Sequence, residues 1–170
     1  MSTSSVSIDR VVDCPFSSVV EYADGFVNDE LGAGGGFELA LHLPLSAQKI
    51  GLTRRVRVST AITRDLTDFT RSHEAMWFEL QPDEGVPPLP PVRVLLTVRP
   101  WSGMSKLQFA GSVLERRGRV GKLVETILGK VMLTGMLEAF VDQMARSLER
   151  RHAEFRRTTS IAAQVPEEVG

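Results

Sequence analysis

The segment at residues 74–80 carries the side chains best suited to acid–base chemistry in this chain. Met76, Phe78 and Leu80 share one face of a strand-like alternation, and Trp77 and Glu79 lie on the other. If the Trp77 face points into the interior, Glu79 could act as a general base with a raised pKa. If the Phe78 face does so, Glu79 is solvated and Trp77 is exposed or meets a partner. The pattern favours the second arrangement.

Arginines crowd the neighbouring strand-like segment at positions 54, 55 and 57. Arg55 and Arg57 share its polar face, where pairing with acidic residues of adjacent strands is expected. Arg57 is also a candidate for catalysis or for binding a carboxylate, beside Glu79. No catalytic motif accompanies either residue, so the sequence leaves open whether the protein is an enzyme.

Metal and nucleotide chemistry is not expected. His42, His73 and His152 lie far apart in sequence, and no Cys/His cluster gives metal-ligand spacing. The glycines at 32–36 follow a helix and precede a strand, which is the reverse of the dinucleotide-binding order. Cys14 is the single cysteine, so it is interpreted as a structural thiol rather than a disulfide partner. We therefore predict no cofactor.

Composition excludes several classes of function. The chain has 170 residues and a formal net charge of −1, without the excess of Lys and Arg that nucleic-acid binding needs. No run of 18 uncharged apolar residues predicts a membrane-spanning helix. The first residues are polar and lack a secretory signal, so a cytoplasmic location is expected.

The order of predicted elements indicates an α+β protein. Apolar residues alternate in segments typical of strands, and proline-rich or glycine-containing turns join several of them, which favours an antiparallel meander. The predicted strands span residues 5–12, 39–43, 55–62, 74–80, 92–98 and 107–113, with a helix at 15–27 after the first and a long helical segment at 119–157 after the last.

The long helical segment carries two apolar stripes that do not line up. Residues 120–132 define one stripe and residues 133–148 another, offset by roughly 130°, far beyond the drift of a straight helix. We favour a kink or break near Leu133–Gly135, because glycine weakens a helix. The alternative is a straight helix that buries one face on its sheet and another on a partner subunit. Residues 158–170 lack periodicity and are predicted to form a disordered tail.

Two stretches resemble a known superfamily. The run from Ile8 to Pro15 leads directly into an apolar helix at Phe16, and residues 94–113 look like a last hairpin before a long helix. This order resembles the START-like (SRPBCC) superfamily, whose members include polyketide cyclase/dehydrase-like and lipid-transfer proteins. The resemblance implies one helix-grip domain over residues 1–157, in which a curved antiparallel sheet wraps around a long C-terminal helix. It also implies a cavity between sheet and helix.

The resemblance suggests that this cavity binds or transports a small hydrophobic molecule, lipid-like or polyketide-like, without catalysis. A polyketide cyclase/aromatase-like enzyme and a homodimeric interaction module are the alternatives. The residues that we expect to contact a ligand are mostly large and apolar: Trp77, Phe78, Leu96, Phe109, Val131 and Gly135.

Overall fold

A computed structural model describes residues 5–31, 35–45, 48–61, 74–85, 89–114 and 127–162. Within these ranges the chain forms six strands and two α-helices, and a π-helical segment, Phe26–Leu31, directly follows the first helix. The elements are β1 (Ser5–Val12), α1 (Phe16–Gly25), β2 (Gly36–Leu45), β3 (Gln48–Ala61), β4 (Glu74–Pro82), β5 (Val92–Trp101), β6 (Met104–Val113) and α2 (Ile127–Ala162).

All six strands form one antiparallel sheet in the order β1–β6–β5–β4–β3–β2. The first strand therefore pairs with the last, and α1 with the π-helical segment carries the chain from one edge of the sheet to the other. From β2 the chain returns strand by strand to β6. The predicted meander is confirmed, and β3 begins seven residues earlier than the predicted strand.

The first helix follows from the local sequence. Pro15 has φ −67° and ψ 146°, so it stands just outside the helix in an extended conformation. Val19 and Ala23 are buried at a spacing of one helical turn, and Phe26 and Val27 of the π-helical segment continue that buried side. The helix predicted for residues 15–27 thus exists, and a helical backbone continues to Leu31.

A two-residue turn joins β5 to β6. Ser102 and Gly103 both have positive φ, 48° and 80°, between the paired residues Trp101 and Met104. Two positive φ values in a two-residue loop match the twist of a hairpin, and glycine adopts the second at low cost. The turn fixes the register between β5 and β6.

The core lies between one face of the sheet, here called the concave face, and the helices. Each strand contributes alternate apolar side chains to this face, as period-two geometry requires. On β4 these are Met76, Phe78 and Leu80, which are 2%, 0% and 0% exposed. The arrangement favoured from the sequence is therefore confirmed, and Trp77 and Glu79 lie on the opposite, convex face.

The long helix α2 is unbroken. The sequence favoured a kink or break near Leu133–Gly135. The α-helical backbone runs without interruption from Ile127 to Ala162, so a break there is wrong, and a kink stays a prediction. Gly135 lies where a Cβ would meet the side chain of Leu41 on β2, so its small size serves close packing. The buried residues follow one stripe along the helix: Met132, Leu133, Met136, Leu137, Phe140, Val141, Met144, Ala145 and Leu148.

The long helix extends beyond its predicted C-terminal end at residue 157. The helix continues to Ala162, so residues 158–162 are helical rather than part of a disordered tail. Residues 119–126, which carried most of the first predicted stripe, lie outside the described residues, as do residues 163–170. The subunit contact predicted as an alternative stays a prediction.

Candidate functional site

The helix α2 spans the concave face from one edge of the sheet to the other. Near its N-terminal end Gly135 lies against Leu41 of β2, and farther along Asp142 pairs with Arg10 of β1, with 3.3 Å between Oδ1 and Nη2. These two strands form opposite edges of the sheet. The helix therefore bridges the sheet edges and encloses the space over the concave face.

Phe140 fills the middle of this space. Its ring packs against four aromatic rings: Phe78 on β4, Phe109 on β6, Phe37 on β2 and Phe26 in the π-helical segment. The centroid distances run from 5.3 to 6.3 Å, which is the range of favourable tilted and edge-to-face packing. This part of the interior is closely packed with side chains.

Two core leucines of β2 and β3 keep a small exposure. Leu96 of β5 and Phe109 of β6 are 0% exposed, whereas Leu41 of β2 and Leu52 of β3 keep 6% and 9%. Leu41 and Leu52 are partners in the β2–β3 register, so they lie side by side on the concave face. Leu41 also lies against Gly135, so these two leucines are close to the N-terminal half of α2.

Polar contacts fasten the C-terminal half of α2. The Glu30 carboxylate accepts a hydrogen bond from the hydroxyl of buried Ser147 and pairs with Arg150 at 2.7 Å. Arg151 contacts the same carboxylate and donates to the Gly25 carbonyl oxygen at 3.0 Å. Burial alone would raise the pKa of Glu30, but the hydrogen bonds from Ser147 and Arg150 outweigh it and lower that pKa. The network ties the π-helical segment to α2.

The structure separates the six predicted ligand-binding residues into three groups. Phe78, Leu96 and Phe109 lie on the concave face in the packed region, and all are 0% exposed. A second group, Val131 and Gly135, is half-buried on the N-terminal half of α2. Trp77 stands apart on the convex face, where it is paired in register with Leu95. A ligand contact by any of the six stays a prediction, and the convex position of Trp77 does not favour one between sheet and helix.

The two candidate catalytic residues also lie on the convex face. Glu79 accepts a hydrogen bond from Arg93 at 2.9 Å, and Arg57 pairs with Asp83 at 3.2 Å. The alternative that placed Glu79 beside an interior cavity is wrong, because the apolar side chains of β4 occupy the concave side. The cross-strand pairing expected for Arg57 is found with an acidic residue just beyond β4.

Cys14 is a buried thiol. Burial raises its pKa to about 11, and the neighbouring carboxylates of Asp13 and Glu149 act in the same direction. The Ser105 hydroxyl donates to the Cys14 carbonyl oxygen at 2.7 Å, which anchors the chain between β1 and α1. A protonated, enclosed thiol is a poor nucleophile, in agreement with the structural role inferred from the sequence.

Neither a metal-binding cluster nor a membrane-spanning helix is found in the part of the chain that the structure describes. There, no three His, Cys, Asp or Glu side chains gather closely enough to hold a metal ion. His73 and the side chain of His42 lie outside the described residues. No helix within the described ranges is long and apolar enough to cross a membrane.

Arg54 is a residue whose position the sequence analysis overlooked. It lies on the concave face of β3, between Leu52 and Val56 in the alternation, and its register partner Leu39 is 0% exposed. The signal was present in the sequence, because residue 54 has the same parity as the apolar residues at 52, 56 and 58. Its guanidinium packs against Gly85, and Nη1 donates to the Thr53 carbonyl oxygen at 3.1 Å.

Comparison with solved structures agrees with this geometry. Ara h 8.0201 superposes with a TM-score of 0.52 at 9% identity, over 90% of this chain and 99% of that one. The chain has the helix-grip fold. An identity this low shows the fold alone, and the expected fold class is thereby confirmed.

Two further similarities to helix-grip structures have lower scores. A START superfamily protein from Mycobacterium smegmatis matches with a TM-score of 0.41 and 13% identity over 89% of this chain and 98% of that one. KanY matches with a TM-score of 0.41 and 12% identity over 90% and 99%. At these TM-scores they carry no argument of their own. No protein-family model and no curated protein sequence matches the chain.

Proposed function

We propose that this protein binds a small hydrophobic ligand, non-catalytically, between the N-terminal half of α2 and strands β2 and β3. The observation that supports the proposal is the uneven exposure of the concave face. Leu41 and Leu52 keep 6% and 9% exposure there, while Phe78, Phe109 and Phe140 are 0% exposed. Apolar walls with a limited opening are typical of small-molecule sites.

The fastening of α2 supports the same location. Contacts of Asp142, Ser147, Arg150 and Arg151 hold α2 from residue 142 onward to β1 and to the π-helical segment. The N-terminal half meets β2 through Gly135 and the end of the flexible Leu41 side chain. A rotation of that leucine would admit a ligand without breaking the polar contacts.

The proposal of a carrier or sensor, rather than an enzyme, rests on where the candidate acid and base groups lie. Glu79 and Arg57 both form ion pairs on the convex face, so the sheet separates them from the concave side. A ligand held over Leu41 and Leu52 would meet apolar walls and Arg54. Binding by burial of apolar surface is what such a lining supports.

Titration calorimetry with a neutral amphiphile, decanol, tests the proposal. Leu52→Trp adds bulk to the proposed site, and Leu95→Trp adds the same bulk to the convex face as a control. Saturable binding to the native protein is expected, at least tenfold weaker in Leu52→Trp and unchanged in Leu95→Trp. Circular dichroism establishes that both variants are folded. No saturable binding, or an equal loss in the two variants, would contradict the proposal.

A further inference from the structure

Four large apolar side chains of the described residues are exposed to solvent. They are Val11 near the end of β1, Trp101 beside the β5–β6 turn, and Phe155 and Ile161 on the last part of α2. Their exposed fractions are 42%, 52%, 60% and 67%. Scattered exposed apolar residues are normal on a protein surface, whereas a gathering of them marks an interaction site. Their arrangement therefore matters.

The last part of α2 runs toward the end of the sheet that carries Val11 and the β5–β6 turn. Asp142 contacts Arg10 of β1, and farther along the helix Glu149 accepts a hydrogen bond from the Asp13 amide at 3.4 Å. Seven helical residues and three extended residues both span roughly 10 Å. The helix thus advances along β1 in the direction of that strand, toward its C-terminal end.

Beyond this point α2 projects past the sheet. Residues 153–161 are all exposed, a length of about 14 Å at the helical rise. The β5–β6 turn lies at the same end, because Val11 pairs in register with Lys106, close to that turn. Phe155 and Ile161 on the projecting helix and Trp101 on the hairpin therefore belong to one end of the molecule.

Cations accompany the apolar side chains at this end. Lys106 lies over the Trp101 ring, 5.7 Å from its centroid, and its register partner on β5 is the exposed Arg99. Arg156 and Arg157 follow Phe155 on the projecting helix, where they too are exposed. Within the described part of the chain, Arg99, Arg156 and Arg157 form no ion pair.

Acidic side chains are fewer on the two projecting elements. Residues 99–106 contain none, and residues 152–162 contain Glu154 alone. Asp9 is paired with Lys106 at 2.9 Å, and the Glu149 carboxylate is held by the Asp13 amide. The projecting elements thus combine exposed apolar side chains with an excess of positive charge.

We propose that residues 99–106 and 152–162, here called the docking end, bind the surface of a bilayer that contains anionic lipids. Tryptophan is favoured at the membrane–water interface, and apolar side chains such as Phe155 and Ile161 insert among the headgroups. Arginine and lysine near an anionic surface add electrostatic attraction. Apolar groups on two separate projections suit a deformable bilayer better than the closely packed core of a protein interface.

Sedimentation with lipid vesicles tests the proposal. The native protein should sediment with vesicles of phosphatidylcholine and phosphatidylglycerol, and much less with vesicles of phosphatidylcholine alone. Replacing both Arg156 and Arg157 by glutamine should weaken the binding by about tenfold or more. Replacing Arg55 and Arg93 by glutamine removes the same charge from the convex face, so this matched control should bind as the native protein does. Phe155→Ala should also weaken the binding.

Tryptophan fluorescence reports whether the hairpin meets the bilayer. The chain has two tryptophans, so Trp77→Phe leaves Trp101 as the single reporter. Its emission should move to shorter wavelength when the anionic vesicles are added, because the indole leaves water. Trp101→Phe leaves Trp77 on the convex face, and its emission should stay unchanged. These conservative variants keep an aromatic ring at each position.

Three results would overturn the proposal. One is the absence of sedimentation with the anionic vesicles, and another is an equal loss in the two arginine pairs. The third is self-association of the native protein that Phe155→Ala abolishes, without vesicle binding, because a second copy would then cover these side chains. None of these results affects the binding of decanol between α2 and strands β2 and β3, so the two proposals fail separately.

Discussion

Phe140 on α2 lies with its ring centroid 5.3 Å from that of Phe78 on β4, at an interplanar angle of 60°. This contact joins the helix to the middle of the sheet, and three more rings surround the same phenylalanine. Because no solvent reaches Phe140, its removal would leave a cavity lined by aromatic edges. The stability of the whole fold should therefore depend strongly on this one side chain.

Phe140→Ala is expected to lower the free energy of unfolding by about 3–5 kcal/mol, from lost burial and an unfilled cavity. Phe155→Ala on the same helix is the matched control, since Phe155 is 60% exposed. Its effect should stay within about 0.5 kcal/mol. Urea unfolding followed by circular dichroism measures both. A loss below about 1 kcal/mol for Phe140→Ala would contradict the packing described here.

The Glu30 network predicts a specific dependence of stability on pH. The pKa of Glu30 is lower in the folded protein than its ordinary value of 4.5, so the unfolded chain takes up the proton first as the pH falls. Its contribution to stability is complete above that ordinary value and is lost as the pH falls towards the folded-state pKa. Glu30→Gln should thus be destabilising at pH 7 and less destabilising at about pH 3.

Urea unfolding of the native protein and Glu30→Gln at both pH values measures this change. Glu138→Gln, at an exposed glutamate of α2, is the control. The stability difference caused by Glu30→Gln should shrink on acidification, and that caused by Glu138→Gln should stay near zero. A difference that is constant with pH would show that the ionised Glu30 does not stabilise the fold through these contacts.

The enclosed thiol predicts slow labelling. Because burial raises the pKa of Cys14 to about 11, the thiolate is scarce at pH 8, and the closed packing keeps reagents out. A disulfide reagent such as 5,5′-dithiobis(2-nitrobenzoate) should react with the native protein only as fast as it opens. In 6 M guanidinium chloride the reaction should be complete within the mixing time. Equal rates in the two conditions would mean that Cys14 is accessible in the folded chain.

Gly135→Ala tests the contact between α2 and β2. The new Cβ would meet only the end of the flexible Leu41 side chain, which can rotate away. Alanine is favoured over glycine in a helix by about 1 kcal/mol. We therefore expect a change in unfolding free energy within about 1 kcal/mol of zero, together with weaker binding of decanol because Leu41 is pushed into the proposed site. Gly51→Ala, at a glycine with open space around it, is the control and should leave binding unchanged.

Alternating side chains made most of the fold predictable. The alternation of Met76, Phe78 and Leu80 with Trp77 and Glu79 predicted correctly which face of β4 is buried. Burying three apolar side chains is more favourable than burying one tryptophan together with a carboxylate. The same parity reasoning would have put Arg54 on the concave face. The sequence analysis named Arg54 only as one of three crowded arginines and assigned a face to Arg55 and Arg57 alone.

Contacts between distant residues could not be predicted in this way. Glu30 and Ser147 are 117 positions apart, and their hydrogen bond depends on the path that the chain takes from α1 to β2. The role of Gly135 was misread for a related reason. A glycine in a helix is consistent with a break or with close packing. Only the position of Leu41 on β2, against Gly135, shows that close packing applies here.

The central claim is that a hydrophobic ligand enters between α2 and strands β2 and β3. Methyl-resolved NMR during titration with decanol tests it most directly, with Leu41 and Leu52 as reporters of the proposed site and Leu95 as the reporter of the convex face. Binding in the proposed place predicts saturating shifts of the Leu41 and Leu52 methyl signals while Leu95 stays unchanged. Saturating shifts confined to Leu95, or no saturating shifts at Leu41 and Leu52, would contradict the claim.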